Sequence, residues 1–318
     1  MINFSIETGK FSFVHEGKTY KSPNGTYIAR QYELITGKKP VMAGQSSSQE
    51  VSVEGEVVQE EIVEQVIPTD AEVYEKIHKR FEVLDRMVMA AAMGENRATI
   101  VYGPAGTGKT TRITRTLDHL DAKYVFVKGY ISAPEMYNLL YKNRSSNSIV
   151  IFDDADSVFA DERALNILKA ACDSTDSRQL SWMVSRIAAK MDEDGEEIPD
   201  NFEFEGSVII VTNKDLKAEV AKDNKLSPHF AAMISRANYI NIGIENLTSY
   251  VSYLSETIRR TDIMGKCSDE RKAEVISFIK ENQTRFHDVS LRLIKKLTNL
   301  INISPETWRE DAEVTQMS

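Results

Sequence analysis

The spacing of apolar residues changes along this chain, and the changes mark out its elements. Val73, Ile77, Phe81, Leu84 and Val88 recur close to the helical period, which predicts an amphipathic helix after Asp70. Five near-continuous apolar runs follow: ATIVYG (98–103), KYVFVKG (123–129), SIVIFDD (148–154), SVIIVTN (207–213) and NYINI (238–242). Runs of this kind belong to strands buried on both faces. Helical patterns separate them, in KTTRITRTLDHL, SAPEMYNLLYKN, DERALNILKAACD and PHFAAMISR, the second opened by Ser132 and Glu135 at capping-box spacing. The alternation predicts an α/β unit, a five-stranded parallel sheet with helices on both faces. From Glu245 onward there are three amphipathic helical patterns and no good strand, so a small helical domain is expected there.

The first forty residues read differently. FSFVHEGKTY, the turn signal Ser22-Pro23-Asn24-Gly25 and TYIARQYELI point to a small β-containing module. Residues 41–70 then carry seven acidic side chains and no Lys or Arg, the composition of a flexible acidic linker. The expected organisation is therefore a module at 1–40, a linker at 41–70, an α/β core at 71–244 and a helical domain at 245–318. Between Asp176 and Gly206 the core carries extra chain with an acidic turn at 192–197, whose length suggests a hairpin or helical insertion over residues 177–205.

Composition narrows the class. With 42% hydrophobic and 27% charged residues over 318 positions, the chain has the make-up of a soluble protein with a sizeable core. It lacks a run long and apolar enough for a membrane span, and MINFSIETGK is not a signal peptide, so a cytoplasmic location and no membrane partner are expected. Cys172 and Cys267 stand far apart and outside any metal-ligand spacing, which argues against a disulfide framework or a zinc site. A formal net charge of −9 repels nucleic acid at long range and favours protein partners. A DNA contact would need a local basic patch, for which Lys10, Lys18, Lys21, Arg30, Lys38 and Lys39 in the N-terminal module are the candidates.

Candidate chemistry sits at the ends of the strands. Gly103-Pro104-Ala105-Gly106-Thr107-Gly108-Lys109-Thr110 matches G-x-x-x-x-G-K-[ST] between a strand and a helix, the context that gives the motif meaning. The glycines let backbone N–H groups turn inward, and the helix N-terminus adds partial positive charge where phosphates would lie. Lys109, expected as an exposed loop lysine, would bridge the β- and γ-phosphates of ATP, Thr110 would ligate Mg2+, and Thr111 completes the cradle. The strand Ile149–Phe152 ends in Asp153 and Asp154. Asp153 would hold Mg2+, and Asp154 stands where a base for the attacking water is needed, with Asp156 as a fallback. Asn213, at the end of the next strand, is placed to orient that water.

Phosphate loop, acidic strand end and strand-end Asn213, in this order, resemble the AAA+ family of P-loop ATPases over about residues 74–298. The resemblance is to the AAA+ proteins of tailed bacteriophages and bacteria, which would make the location a host cytoplasm. It implies ATP hydrolysis in a ring or partial ring of identical subunits, with a helical lid over the core. Arg236 of Met233-Ile-Ser-Arg236 then resembles the arginine finger that enters a neighbouring subunit's site, and Arg292 of Asp288-Val-Ser-Leu-Arg292 resembles the second sensor that reaches the γ-phosphate from the lid. The implied role is mechanical, moving or remodelling a protein or nucleic-acid partner, with Tyr130 or Tyr141 as residues to grip it. Asp154 departs from the glutamate usual at its position. That departure leaves room for a nucleotide-dependent scaffold with little hydrolysis, and the basic N-terminal module leaves room for a DNA-directed role in replication loading or initiation.

Overall fold

The computed structural model describes residues 68–183 and 197–318, together with three strands near the N-terminus. Contacts divide the chain into two units, Met1–Gln65 and Val66–Ser318. In the first unit, β1 (Asn3–Ser5), β2 (Lys10–His15) and β3 (Lys18–Ser22) form an antiparallel sheet in that order. The acidic linker read from the sequence lies outside the described residues up to position 67, and its expected last residues, Thr69 and Asp70, instead open the first helix of the second unit, as cap and first residue. Most of the acidic turn at 192–197 also lies outside the described residues.

The second unit opens on α1 (Asp70–Ala92), started by Thr69 and Glu72 in a reciprocal capping box. Its buried stripe, Val73, Tyr74, Ile77, Phe81, Leu84, Val88 and Ala91, is the one read from spacing, widened by Tyr74 and Ala91. The core follows as β4 (Ala98–Tyr102), α2 (Lys109–His119), β5 (Lys123–Lys128), α3 (Ala133–Lys142), β6 (Ser148–Asp153), α4 (Glu162–Ala171), β7 (Gln179–Ser181), β8 (Asn201–Glu203), β9 (Ser207–Thr212), α5 (Leu216–Ala221), α6 (Ser227–Arg236) and β10 (Asn238–Asn241).

Five strands pair in parallel in the order β10-β4-β9-β6-β5. Alternate residues serve opposite faces. Val101, Ile149, Ile151, Ile209 and Val211 pack toward α1, α2 and the C-terminal helices. Ile100, Val150, Phe152, Val208 and Ile210 pack toward α3, α4 and α6. Both faces being covered explains why the strands read as continuous apolar runs instead of alternating ones. The chain leaves β4 through α2 for the far edge at β5, and returns to fill the gap with β6 and β9. Loops after β4, β9 and β6 therefore meet at the carboxyl edge of the sheet, where open α/β sheets hold ligands.

The insertion after α4 is in part a two-stranded antiparallel pair, β7 with β8, in which Leu180 faces Phe202. It packs on α3 through Phe202, whose ring lies 5.0 Å from Tyr137 and 5.2 Å from Tyr141. Arg178, almost wholly buried, anchors it by donating to the carbonyls of Ala171 (2.7 Å) and Gly206 (2.8 Å). Burial pushes that guanidinium down to about 10.

After the core come α7 (Leu247–Arg260), α8 (Asp269–Glu281), α9 (Leu291–Ile303) and α10 (Trp308–Gln316). Sequence patterning anticipates three helices here, and the structure has four. The fourth is short, and its anchor is one residue, Trp308, buried edge-on against Phe278 at 4.9 Å. α1 shares the core of these helices through Val73, Tyr74 and Ile77 with Val251, Leu254 and Ile258.

Candidate functional site

Gly106 (φ +72°) and Gly108 (φ +95°) give the loop after β4 two left-handed residues, and Gly108 caps α2. Any side chain at Gly106 would be strained by that backbone, and a Cβ there would come within 2.6 Å of Ser290. The loop thus keeps an open cradle of backbone N–H groups at a helix N-terminus, a fit for phosphate.

Lys109 is buried, not exposed. Its ammonium donates to the carbonyls of Gly103 (2.6 Å) and Pro104 (2.7 Å) and to Oδ1 of Asn213 (3.0 Å). Burial pulls its pKa down to about 8, opposed by Asp154 and Asp153 and assisted by Arg292. The sequence misses this because the four-carbon stem folds back over its own loop, an arrangement that spacing does not encode.

The Thr110 hydroxyl donates to Oδ1 of Asp153 at 2.8 Å, and the Lys128 ammonium lies 3.5 Å from Oδ2. A hydroxyl and a carboxylate oxygen side by side form a hard donor set that suits Mg2+. Asp154 follows with φ +52°, a left-handed conformation that a non-glycine residue adopts at some cost. The two successive carboxylates serve different partners. Asp153 meets Thr110, whereas Asp154 accepts from Nδ2 of Asn213 at 2.8 Å. Asn213 thereby links the phosphate loop to the acidic loop, its oxygen toward an ammonium and its nitrogen toward a carboxylate, which fixes the orientation of the amide. Asp156 instead accepts from the Thr212 hydroxyl at 3.2 Å.

Gly106, Gly108, Lys109, Thr110, Asp153, Asp154 and Asn213 line one cavity of about 470 Å³ that also includes Ala105, Thr107, Thr111 and Arg292, whereas Gly103, Pro104 and Asp156 do not line it. Its size is that of a small-molecule site. The C-terminal helices close directly on the loop. The Leu291 N–H donates to the Gly106 carbonyl at 3.0 Å and the Tyr253 hydroxyl to the Thr107 carbonyl at 3.4 Å.

The family model for the ATPase family associated with various cellular activities (AAA) matches residues 99–221, the stretch that carries the loop, both acids and Asn213. An uncharacterized 36.7 kDa protein from the nrdC-mobD intergenic region of Enterobacteria phage T4 is 33% identical over 256 residues, covering 79% of this chain and 77% of the relative. The chain belongs to the AAA+ family. Solved structures similar to it include the Thermotoga maritima RuvB Holliday junction branch migration motor (14% identity, 76% of this chain, 68% of that chain, TM-score 0.45) and a mutant form of Thermotoga maritima RuvB (13%, 77%, 72%, TM-score 0.46). No helix among the described residues is long and apolar enough to cross a membrane.

Not every residue singled out from the AAA+ resemblance lies in the cavity. Arg292 does, and its Cδ stands 3.7 Å from where a Gly106 Cβ would be. Arg236 does not line it. It ends α6, with Nε 3.4 Å from Oδ2 of Asp173 and an NH1 bond to the Ala232 carbonyl. Asp173 is held below the ordinary carboxylate range first by the Thr175 N–H and then by Arg236. Of the two tyrosines that could grip a partner, Tyr141 is taken up by Phe202 and by the Arg144 guanidinium 4.1 Å from its ring. Tyr130 is 79% exposed and follows the left-handed Gly129.

Sequence patterning does not single out one wall of the AAA+ cavity. Tyr74, His78 and Phe81 of α1 and Tyr253, Thr257, Thr261 and Asp262 at α7 line it. Tyr74 and His78 stand four residues apart beside the apolar stripe to which Phe81 belongs, and that aromatic pair is the signal for it.

Proposed function

We propose that this AAA+ chain is a Mg2+-dependent ATPase, acting as a ring or partial ring, that moves or remodels a macromolecular partner. The observation that carries this reading is the convergence of Lys109, Thr110, Asp153, Asp154 and Asn213 on one cavity closed by Arg292. Backbone N–H groups of residues 105–110 would hold the phosphates, with Lys109 leaving its loop carbonyls to bridge the β- and γ-phosphates. Thr110 and Asp153 would hold Mg2+, which when bound neutralises charge on the phosphate oxygens. Asp154 would take the proton of the attacking water while Asn213 keeps both in line. Arg292, which lines the cavity, would compensate γ-phosphate charge from the lid. Arg236, at a helix end outside its own cavity, would supply a guanidinium to the neighbouring subunit's site.

Tyr130, exposed two residues beyond the end of the edge strand β5, is the residue proposed to grip the partner. Residues 1–40 would recruit that partner, with 41–70 as tether. A scaffold role with little hydrolysis has one observation in its favour, the short Asp154 side chain already engaged by Asn213.

The test is ATP binding and turnover by the purified full chain and by Lys109→Ala. The wild type should bind Mg-ATP and release phosphate, and the variant should do neither. Tight ATP binding by Lys109→Ala would remove the phosphate-loop reading, and binding without turnover by the wild type at every concentration would favour the scaffold.

A further inference from the structure

The aromatic wall of the cavity is built from two elements far apart in sequence. Tyr74 and His78 come from α1, and Tyr253 comes from α7. Tyr74 stacks between them, its ring 5.4 Å from His78 and 5.8 Å from Tyr253, with interplanar angles of 14° and 23°. All three line the cavity. A stack of this kind offers a flat apolar face at a set height above the phosphate loop, to which Tyr253 is tied through the Thr107 carbonyl.

What fixes the stack lies outside the cavity. Arg260, the last residue of α7, places its guanidinium 4.6 Å from the Tyr74 ring centroid. It donates through Nε to Oε2 of Glu256 at 2.8 Å, and through NH1 to Glu75, the neighbour of Tyr74. Arg259 beside it bonds Glu256 and reaches Asp70 at 3.4 Å, and Asp70 also receives the Lys280 ammonium at 2.6 Å. The first turn of α1 is thus clipped to α7 and α8 by a run of alternating charges. Glu256 is buried, which favours this pairing over a solvated one. Arg260 itself does not line the cavity.

We propose that Arg260 is a positioning residue for nucleotide binding. It holds Tyr74 against Tyr253 so that the wall is formed before the ligand arrives, and the wall takes the nucleoside part while the phosphate loop takes the rest. Preforming the wall spares the ligand the cost of ordering two helices against each other. A planar guanidinium suits the task because it stacks and forks at once, which an ammonium cannot do. This rests on the ATP reading above and adds to it a device that acts on one part of the ligand only.

That selectivity supplies the test. Affinities for Mg-ATP and for inorganic tripolyphosphate are measured by calorimetry on the full-length protein, on Arg260→Ala, Arg260→Lys and Tyr74→Ala, and on the double variant of Arg260→Ala with Tyr74→Ala. Arg260→Ala should weaken ATP by roughly tenfold and tripolyphosphate by less than about twofold, the cation–π contact and the preformed wall being lost together. Arg260→Lys should fall between. Tyr74→Ala should show the same selective loss, with little added by the second substitution, since both act through one ring. Equal ATP affinity in Arg260→Ala, parallel weakening of both ligands, or full additivity in the double variant each overturns the proposal. Failure of the wild type to bind either ligand is a separate result, which overturns the nucleotide reading and this proposal with it. The melting temperature of each variant identifies a loss caused by unfolding, for which Glu75→Gln is the milder replacement expected to give the same selective pattern.

Discussion

Leu291 and Gly106 are joined by a backbone hydrogen bond: the lid residue's N–H donates to the loop carbonyl at 3.0 Å. The phosphate loop and the C-terminal helices therefore share a contact at the residue that has no side chain to lose. Ser290 occupies the space above it, itself buried and fixed by its bond to Asp288 at 2.6 Å.

Gly106→Ala is accordingly expected to act on both. The new Cβ would meet Ser290 at 2.6 Å in a backbone that disfavours it, at φ +72°. Left-handed strain alone costs about 1 to 2 kcal/mol, and the clash forces either the loop or the start of α9 to move. The expected outcome is loss of measurable ATP binding with a melting temperature lower by a few degrees. Gly106→Ala with unchanged ATP affinity would mean that the lid yields freely and that the contact is incidental.

Asp154 gives a graded series because its backbone and its carboxylate matter separately. Asn tolerates the left-handed region about as well as Asp, so Asp154→Asn should keep the fold and bind ATP, while turnover falls by roughly 100-fold or more for want of a proton acceptor. Asp154→Gly should relax the backbone at φ +52° while losing the bond from Asn213, so that stability changes by less than about 1 kcal/mol, and should lose turnover equally. Stability comes from thermal melts and turnover from phosphate release. Turnover surviving in Asp154→Asn would pass the role of base to another group, with Asp156 next in line.

How far these assignments can be read from sequence depends on the kind of signal. Strands buried on both faces and the glycine-bearing loop leave local marks, and β4, β6 and β9 sit where their apolar runs end, a residue short of Gly103, Asp154 and Asn213. The buried state of Lys109 leaves no such mark, since it arises from carbonyls of its own loop and from Asn213, more than a hundred residues away. Nor does the Tyr74–Tyr253 stack, which needs the lid folded back on α1. α10 escapes patterning because its buried positions are one tryptophan and one alanine, Trp308 and Ala312, too few to make a repeated stripe.

Arg236 should separate stability from activity. Its contact with Asp173 is long and about one-third exposed on both sides, so Arg236→Ala should change stability by less than about 1 kcal/mol. Hydrolysis should nonetheless be lost with ATP binding retained, if the guanidinium serves the adjacent subunit. Mixing Arg236→Ala with Asp154→Asn protein then restores part of the activity, because each supplies the half-site the other lacks. Co-assembly demonstrated by crosslinking, but with no recovery of phosphate release, would leave Arg236 without a role in trans.

Truncation at the N-terminus tests where the nucleotide-binding body begins. The division at Gln65 and Val66 leaves Thr69, Asp70 and Tyr74 with the second unit. Thr69 caps α1 through Glu72, and Asp70 carries ion pairs to Arg259 and Lys280. Asp70 is held below the ordinary carboxylate range, its own partial burial opposing and Lys280, Ser252 and Arg259 together prevailing. A chain of residues 66–318 keeps all of this and should fold, with ATP affinity within about twofold of the full chain, since among the described residues none that lines the cavity precedes Tyr74. A chain of residues 76–318 differs by only ten residues yet loses the cap, the ion pairs, the buried Val73 and Tyr74 itself. Removing two buried side chains of this size costs several kcal/mol by the usual large-to-small scale, so the shorter chain should melt well below the longer one and bind ATP poorly. Melting curves and calorimetry on the pair decide it. Equal behaviour of the two would place the boundary inside α1 and deprive the clip of any part in nucleotide binding, whereas a loss of basal ATP binding already at 66–318 would make the first unit part of the ATPase body and not a recruiting module.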